Sequence, residues 1–448
     1  MTVHRMTSYH EALDRSRSNP FAEWPERENR ARLEPIANPS FDSGIRLKPG
    51  AKVVTMGSCF ARNIEEYFEA EGFDVPLMGY SGPIEEFGQG AARIQGILNK
   101  YTPASIATEV EWLAKVRAEG GVVTWDNVGH MLMEVRDDRF IDMQLSTTVA
   151  VSRARAIERR QHIYDIHVQI FDCDLAVLTP GLTETWFDTK TGHYIQRAPG
   201  PRQAKLEPDR FTFGVMDFFQ CFEMLDRTIR ILKENGTRQI ALTVSPVPLH
   251  RTMTGQDVLI ANTYSKSTLR AVVGVICDRH EDVFYVPSYE RVMLSKDESI
   301  WNQDLRHVAD EFVGTIASRF AAAALGRPLA SMDQVLAFEL AVQEGRVEDA
   351  VNALDALGAK AAEVSMHTFV KSACSLYIAL GRWEDALPLA KRLEVLKPQA
   401  VGAYKLEFQI QRNLGDEAAA LDAAIRAVAN CKDIVLQDFL ASVGNAEK

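Results

Sequence analysis

The sequence has no pair of cysteines at CxxC spacing and no cluster of cysteine and histidine at the spacing of a zinc site. No apolar run is long enough to cross a bilayer, and the polar N-terminus lacks the apolar segment of a signal peptide. Scattered cysteines predict free thiols in a reducing compartment, and we therefore expect a cytoplasmic protein. The 6 cysteines are Cys59, Cys173, Cys221, Cys277, Cys374 and Cys431.

Phosphate-binding loops are also missing, since neither GxGxxG nor GxxxxGK[ST] occurs. Positive charge is in deficit: 50 Lys and Arg against 61 Asp and Glu give a net charge of −11. This balance argues against binding nucleic acid or anionic lipid through bulk charge. We expect no metal and no organic cofactor. The 448 residues, 46% of them hydrophobic, suffice for two domains.

Short apolar runs alternate with helical stretches in the middle of the chain. Such runs are typical of strands buried on both faces, and the alternation predicts an α/β domain with a mainly parallel sheet over residues 51–328. Residues 1–50 form an N-terminal arm, in which Phe21 and Trp24 are expected to pack on the core. The predicted strands are 52–56, 175–179, 239–244 and 283–286, and the predicted helices are 62–70, 153–171, 215–235, 265–279 and 308–325.

The tail, residues 331–448, has no strand signal and repeats itself. A glycine followed by an acidic, alanine-containing segment recurs at Gly345, Gly381 and Gly415, first 36 and then 34 residues apart, and Glu344 begins the first copy. This period resembles that of tetratricopeptide repeats. We expect an all-α helical-repeat domain that binds a protein partner or caps the other domain. Generic helical hairpins are the alternative.

Two groups of residues are candidates for catalysis. The first predicted strand ends in Gly57-Ser58-Cys59, where a helix begins, and sites form at the carboxyl ends of parallel strands. The positive end of a helix lowers the pKa of a thiol, so we expect a reactive Cys59. Asp304 and His307, three residues apart, project to one side of a helical turn, so that Asp304 can orient His307 as a general base. A packing turn and a polar surface loop are the structural alternatives.

The segment Met56–Ala61 resembles the signature string of the GSCFA family, and four further blocks follow in the family's order. The resemblance covers residues 50–325 and implies similarity to the bacterial-type SGNH, or GDSL-type, hydrolases. These enzymes have a three-layer α/β/α sandwich and hydrolyse or transfer acyl esters, often on carbohydrates. The four further blocks are Gly181–Trp186, Ser245–Pro248, Thr263–Ser267 and Pro287–Glu290.

The resemblance assigns a catalytic set. Gly57, Ser58 and Cys59 match the Gly-Asp-Ser block of the SGNH enzymes, which implies Cys59 as the nucleophile, with Ser58 as the alternative. Asp304 and His307 match the last block, Asp-x-x-His, and imply the orienting carboxylate and the general base.

The oxyanion hole is less complete in this resemblance. Gly96 matches the oxyanion glycine, and Gly82 is the fallback. The third block reads Gly181–Glu184 where the superfamily has Gly-x-Asn-Asp. An ionised Glu184 is not a hydrogen-bond donor, so Asn99 is expected to supply the missing amide.

The implied activity is that of an esterase or an O-acyltransferase, with acetyl as the expected acyl group and a carbohydrate as acceptor, through a covalent acyl-enzyme. A thiol nucleophile favours transfer from an acyl thioester such as acyl-coenzyme A. Two alternatives stay open: a catalytically inactive SGNH-like binding protein that recruits a partner with its tail, and a scaffold in cell-envelope assembly. A monomer and a dimer are both compatible with the sequence.

Overall fold

The computed structural model describes most of the chain, and all structural statements below concern these residues. The tail's starting residues, the boundary expected at 328–331, the repeat residue Glu344 and most of the last 17 residues lie outside the described residues. The described residues are 6–26, 32–34, 36–41, 44–87, 94–146, 148–296, 300–326, 334–335, 337–338, 341–342, 345–364, 367–431 and 439.

The described residues form three sheets: a four-stranded parallel sheet, β1-β5-β9-β10, and two antiparallel sheets, β2-β3-β4 and β7-β6-β8. The strands, numbered in chain order, are β1 Val53–Gly57, β2 Leu132–Arg136, β3 Arg139–Asp142, β4 Val151–Ser152, β5 Leu175–Thr179, β6 Glu184–Asp188, β7 His193–Ile195, β8 Phe211–Val215, β9 Gln239–Leu242 and β10 Val283–Tyr285.

The helices alternate with the parallel strands and then continue alone. Numbered in chain order, they are α1 Tyr9–Ser18, α2 Cys59–Ala70, α3 Pro103–Ala118, α4 Trp125–Val128, α5 Arg153–His167, α6 Pro201–Leu206, α7 Phe218–Glu234, α8 Val258–Arg279, α9 Ser288–Leu294, α10 Asp310–Ala324, α11 Val347–Leu357, α12 His367–Ala379, α13 Trp383–Leu396, α14 Val401–Asn413 and α15 Glu417–Asn430. No described helix has both the length and the apolar character needed to cross a membrane.

The parallel sheet places the ends of β1 and β5 side by side. Their residues pair from Val53 opposite Leu175 to Gly57 opposite Thr179. On the other side of β1, Asp74 forms a parallel bridge with Lys52. If the edge at Asp74 is counted as a strand, the sheet runs from that edge through β1, β5, β9 and β10, which is the order 2-1-3-4-5 when the strands are numbered along the chain. The strand order reverses between β1 and β5, and such a switch point is the usual place for a ligand.

Helices cover both faces of this sheet. Alternate strand residues point to opposite faces, so that Val54 and Met56 pack with α3, α5, α7 and α8, whereas Val53 and Val177 pack with α2 and α10. Burial on both faces explains why the strands read as continuous apolar runs. The prediction of an α/β domain with a parallel sheet is confirmed.

The structure corrects three details of the sequence prediction. Phe21 and Trp24 do not pack on the core, since they are 47% and 72% exposed. The arm instead buries Phe41 and Ile45, which pack with apolar residues of α10 and β10. The helix expected from residue 265 begins at Val258, because Asp257 caps it. The two antiparallel sheets were not predicted.

The tail is helical, as predicted. Gly345, Gly381 and Gly415 all adopt positive φ, at 69°, 70° and 83°. Each glycine stands before a helix, α11, α13 and α15 respectively, and a left-handed residue is the usual way to end a helix and turn the chain. Helices α11 to α14 share an apolar cluster, which Ala322 of α10 also joins, and α14 and α15 share a second one.

A buried network of charges connects the helices on one face of the sheet. Lys100 Nζ donates to Glu109 Oε2 (2.7 Å), and Arg160 binds Glu109 (3.0 Å) as well as Asp142, through two hydrogen bonds of 2.5 and 2.7 Å. All four side chains are buried. Burial alone would raise the pKa of Glu109, but Lys100 and Arg160 hold it well below its usual range. The two cations and two anions balance, which makes such a group tolerable in the core.

We predict that Glu109→Gln destabilises the protein by about 3–5 kcal/mol, because it leaves a buried cation without its counter-charge. The measurement is urea unfolding near neutral pH. Glu111→Gln, on the same helix and paired with Arg227 at the surface, is the control and should change the free energy of unfolding by about 0–1 kcal/mol. Equal effects of the two substitutions would contradict the prediction.

Candidate functional site at the carboxyl edge of the parallel sheet

Gly57 lets the ends of β1 and β5 approach each other closely. A Cβ at position 57 would lie 2.6 Å from Thr179 Cβ and 2.7 Å from Thr179 O, closer than real Cβ atoms come. The next residue, Ser58, donates its backbone N–H to that same Thr179 O (3.2 Å). The glycine of the predicted motif is therefore required by packing against β5.

Ser58 is buried, and its hydroxyl both donates and accepts a hydrogen bond. Its Oγ accepts from Phe60 N (3.3 Å), which makes Ser58 the N-cap of α2, and donates to Ser245 Oγ (2.8 Å) in the loop after β9. A hydroxyl that caps a helix and donates its proton to a neighbouring side chain is poorly placed to attack a substrate. This arrangement favours Cys59 over Ser58 as the nucleophile.

Cys59 is the first residue of α2 and is half-buried. Burial raises the pKa of its thiol, while the charge of Arg306, the backbone N–H groups of Phe60 and Cys59, and Lys266 act in the opposite direction. The expectation of a lowered pKa is therefore wrong: desolvation outweighs the helix N-terminus. The resting thiol is protonated at neutral pH and needs a base in order to react.

The segment that contains Gly96 and Asn99 lies against the turn after β1. Lys100 N donates to Gly57 O (2.7 Å), and Gly96 O accepts from Ser146 Oγ (2.6 Å). Asn99 is buried, and its Nδ2 donates to Tyr101 Oη (3.2 Å). Gly96 and Asn99 thus belong to the segment that contacts this turn, and their role as oxyanion donors stays a prediction.

Tyr101 is a component of the site that the sequence did not reveal. Burial raises the pKa of its hydroxyl, and a thiolate at Cys59 would raise that pKa further. The backbone carbonyl of Tyr101 also accepts from the N–H groups of Gly181 and Leu182 (both 2.9 Å).

Gly82, the alternative candidate for the oxyanion glycine, packs beside the ring of Phe87.

Lys266 joins the loops at this edge of the sheet. Its Nζ donates to three backbone carbonyls: Gly181 O (2.8 Å), Ser245 O (2.7 Å) and Val247 O (2.6 Å). The side chain is 1% exposed, and its neighbour Ser265 hydrogen-bonds to Thr183 Oγ1 (2.8 Å). Three of the blocks that resemble the GSCFA family meet here, and Ser245 connects them to Ser58.

The sequence contains a pattern that could have identified Lys266 as a buried residue. On α8, Lys266 occupies the same stripe as the buried residues Leu269, Val273 and Ile276, at spacings of 3, 4 and 3 residues that place them on one helix face. A lysine on an apolar stripe indicates a buried cation that needs several acceptors.

Glu184, the first residue of β6, contacts a different loop. Its carboxylate accepts from Thr252 Oγ1 (2.5 Å) and from Met253 N (3.2 Å). Both oxygens thereby hold the loop between β9 and α8. Among the described residues no hydrogen bond joins Glu184 to Cys59, and its contacts indicate a structural role.

Asp304 and His307 form the expected pair. His307 Nδ1 lies 2.6 Å from Asp304 Oδ2, and Asp304 Oδ1 accepts from the backbone N–H groups of Arg306 (3.0 Å) and His307 (2.9 Å). These hydrogen bonds lower the pKa of Asp304. The pair stands on a turn in which Leu305 has a φ of 53°, rather than on the helical turn that the spacing predicted.

Arg306, which stands between Asp304 and His307, acts electrostatically on Cys59 and lowers the pKa of its thiol. No hydrogen bond between Cys59 and His307 is found, although the structure describes both residues. The side chain of His307 is accessible, at about two fifths of its surface, whereas Cys59 is half-buried. In the part of the chain that the structure describes, no three His, Cys, Asp or Glu residues are grouped so that they could hold a metal ion.

The fold and the site together define an α/β protein whose candidate nucleophile begins the helix after the first parallel strand. The model of the GSCFA family matches residues 52–320, more than half of the chain. The chain therefore belongs to the GSCFA family. Neither a curated protein nor a solved structure matches the sequence.

We predict that Gly57→Ala destabilises the protein by about 1–3 kcal/mol, since the new methyl group must displace the backbone of Thr179. Thermal or urea unfolding measures the effect. Gly79→Ala is the control, because nothing lies within 4 Å of a Cβ there, and it should change stability by less than about 0.5 kcal/mol. An unchanged stability of Gly57→Ala would show that β1 and β5 are farther apart than described.

We predict that wild-type stability rises with pH relative to Lys266→Met. Burial lowers the pKa of Lys266 to about 7, whereas an unfolded lysine titrates near 10.4. Between these values the folded protein binds fewer protons than the unfolded chain, so the free energy of unfolding increases with pH. Urea unfolding from about pH 7 to about pH 9.5 measures the difference between the two proteins.

The matched control is Lys190→Met, since Lys190 is exposed and pairs with Glu207 at the surface. Its stability should run parallel to that of the wild type over the same pH range. If Lys266→Met also runs parallel to the wild type, Lys266 is not the titrating group.

Proposed function

We propose that the protein is an acyl-transfer enzyme of the SGNH type, an esterase or an O-acyltransferase that acts on a carbohydrate through a thioester on Cys59. The observation that carries the proposal is the position of this thiol. It begins the helix after the first strand, at the switch point of the sheet, and Arg306, in the loop that holds Asp304 and His307, acts electrostatically on it.

The proposal includes the finer features of the fold. We propose the three-layer α/β/α arrangement of the SGNH hydrolases for residues 51–328, supported by the two apolar clusters on opposite faces of the sheet. For residues 331–448 we propose tetratricopeptide-like repeats that bind a protein partner, supported by the three left-handed glycines at nearly equal spacing.

A cytoplasmic location is proposed from the free thiols.

In the first half of the reaction His307 acts as the general base. Asp304 holds the Nδ1 proton, which leaves Nε2 to accept the proton of the Cys59 thiol. The sulfur attacks the acyl carbonyl and forms a tetrahedral oxyanion. When this intermediate collapses, the bond to the leaving alcohol or thiol breaks, the leaving group takes the proton from Nε2, and the acyl group stays on Cys59 as a thioester.

In the second half the same imidazole activates the acceptor. A water molecule or a sugar hydroxyl loses its proton to His307 Nε2 and attacks the thioester carbonyl. The carbon–sulfur bond breaks, and Cys59 recovers the proton from His307. An acyl thioester donor favours the transferase outcome, because exchange between two thioesters is nearly balanced in energy.

The backbone N–H groups at the start of α2 are the best-supported oxyanion donors. The N–H of Cys59 already acts on the sulfur, whereas that of Phe60 is also bonded to Ser58 Oγ, and a helix N-terminus stabilises developing negative charge. Gly96 and Asn99 lie beside the same turn and complete the proposed hole. Glu184 is left out of it, because its carboxylate is bound to Thr252 and Met253.

The raised pKa of Cys59 has a mechanistic consequence. Because the resting thiol is neutral, the attack depends on proton transfer to His307 within the transition state. Hydrogen bonds of this kind are often long in a free enzyme and tighten when the substrate binds. We therefore propose that the side chain of His307 moves onto Cys59 in the substrate complex.

A second candidate is a catalytically inactive SGNH-like protein that binds a ligand at this edge and recruits a partner with its tail. Two observations favour it: no hydrogen bond joins the described Cys59 and His307, and the third block lacks its amide donor, with Glu184 used elsewhere. A scaffold for cell-envelope assembly would be a special case of this second function.

The decisive measurement is the mass of the acyl-enzyme. Protein mixed with an activated acetyl ester is quenched in acid and weighed intact, with Cys59→Ala, Ser58→Ala and His307→Ala measured in parallel. We expect an adduct of one acetyl group on the wild type and on Ser58→Ala, none on Cys59→Ala, and formation slowed by roughly 10²–10⁴ in His307→Ala, the usual contribution of a general base.

Other results would redirect the assignment. Loss of the adduct only in Ser58→Ala would move the nucleophile by one residue. An adduct on Cys59 that forms equally fast in His307→Ala would indicate ordinary thiol reactivity without catalysis. No adduct and no turnover with any acyl ester would favour the binding protein.

A further inference from the structure

Lys266 holds the candidate site through a set of bonds that only its charged form can make. Its Nζ donates to the backbone carbonyls of Gly181 (2.8 Å), Ser245 (2.7 Å) and Val247 (2.6 Å). Three acceptors need three protons, which the ammonium form of lysine has. The neutral amine has one proton fewer and a lone pair in its place. On deprotonation one of the three carbonyls therefore loses its donor and faces a lone pair.

The three carbonyls belong to the loops that support the nucleophile. Ser245 Oγ accepts from Ser58 Oγ (2.8 Å), and Ser58 caps the helix that Cys59 begins. The loops after β5 and β9 also meet directly, because Ser245 N donates to Pro180 O (2.9 Å). Loss of one carbonyl contact of Lys266 thus weakens the support of the turn that carries the thiol.

The surroundings of Lys266 let it lose its proton near neutral pH. The side chain is 1% exposed, and its hydrogen-bond acceptors are backbone carbonyls rather than a carboxylate. Burial lowers the pKa of Lys266 to about 7, and a thiolate at Cys59 would raise that pKa. A buried lysine without a counter-charge titrates well below a lysine at the surface, so the number of bonds at this site depends on pH.

Other titratable groups on the elements around α8 have partners of their own. These are Arg270 of α8 and Tyr285 of β10, both bonded to Glu290 of α9; Asp226 of α7, bonded to His280; and Glu184 of β6, bonded to Thr252 and Met253. On the side of the thiol, Asp304 is paired with His307, and Arg306 acts on Cys59. Within the described part of the chain, Cys59 is the titratable group that acts on Lys266.

We propose that Lys266 is a positioning residue of the acyl-transfer reaction, and that its proton holds the loops after β5 and β9 in the arrangement that Cys59 needs. The inference rests on the proposed function and adds a regulation of the same site. All three carbonyls are held in slightly acidic solution, and one is released as the pH rises above neutral. Global stability is a separate matter: burial of the charge opposes folding, whereas in the folded protein the charged form satisfies one more carbonyl.

The first test measures the hold on the loops and needs no catalysis. Hydrogen–deuterium exchange of the full chain, corrected for its intrinsic pH dependence, gives the protection of the hydrogen-bonded amides of Gly181, Leu182 and Ser245. We expect this protection in the wild type to fall about tenfold from about pH 6 to about pH 8.5, as for the loss of one hydrogen bond to a charged donor. Lys266→Gln, whose amide offers one donor fewer than the ammonium group, should show the lower protection throughout.

The second test connects this hold to the reaction. The rate of Cys59 acetylation by the activated acetyl ester is measured for the wild type and Lys266→Gln over the same pH range, and the ratio removes the titration of His307, which both proteins share. We expect the wild type to be about tenfold faster at about pH 6 and within about twofold at about pH 8.5.

The matched control for both tests is Lys190→Gln, which removes an exposed lysine that pairs with Glu207 at the surface. Its amide protection and its acetylation rate should follow those of the wild type at every pH.

Two results would overturn the proposal. One is a wild-type protection of the three amides that does not change with pH; this comparison stands even if Lys266→Gln does not fold. The other is a rate ratio that is equal at every pH, because a merely structural side chain has no titration. If the wild type forms no acetyl adduct at any pH, the proposed acyl transfer fails, whereas amide exchange still decides whether the proton of Lys266 holds the loops.

Discussion

The candidate site depends on the three hydrogen bonds of Lys266. A buried amino group must find acceptors, and this one finds them in the loops after β5 and β9. Gly181, Ser245 and Val247 are thereby held at fixed positions, and Ser245 in turn accepts a hydrogen bond from Ser58. The geometry at the start of α2 thus follows from a side chain that lies on α8.

At Cys59 the packing of the turn opposes the reactivity of the thiol. The close approach of β1 and β5, which only glycine permits at position 57, buries the turn and places the thiol at the positive end of a helix. The same burial removes water from the sulfur and raises the pKa of its thiol. In the proposed mechanism His307, on an exposed loop with Arg306, is the group that accepts the proton of this thiol.

Much of the fold was predictable, and the exceptions have physical reasons. Continuous apolar runs identified all four strands of the parallel sheet, because burial on both faces leaves no polar alternation. The strands β2 to β4 and β6 to β8 were missed since their residues are partly exposed and polar, as in Glu184 to Asp188. Phe21 and Trp24 are aromatic but exposed, which shows that apolar composition alone does not decide which segment of an arm is buried.

The sequence by itself determined the parallel sheet and the helical tail and indicated Cys59, Asp304 and His307 as the candidate residues, because periodicity and motif spacing are local properties of the chain. The tertiary structure decided which of these residues are buried and what they contact. It assigned Ser58 to a helix cap, Glu184 to another loop and Lys266 to the centre of the site. Desolvation and hydrogen bonding depend on neighbours that are distant in sequence, so only the packed fold fixes the pKa of the thiol.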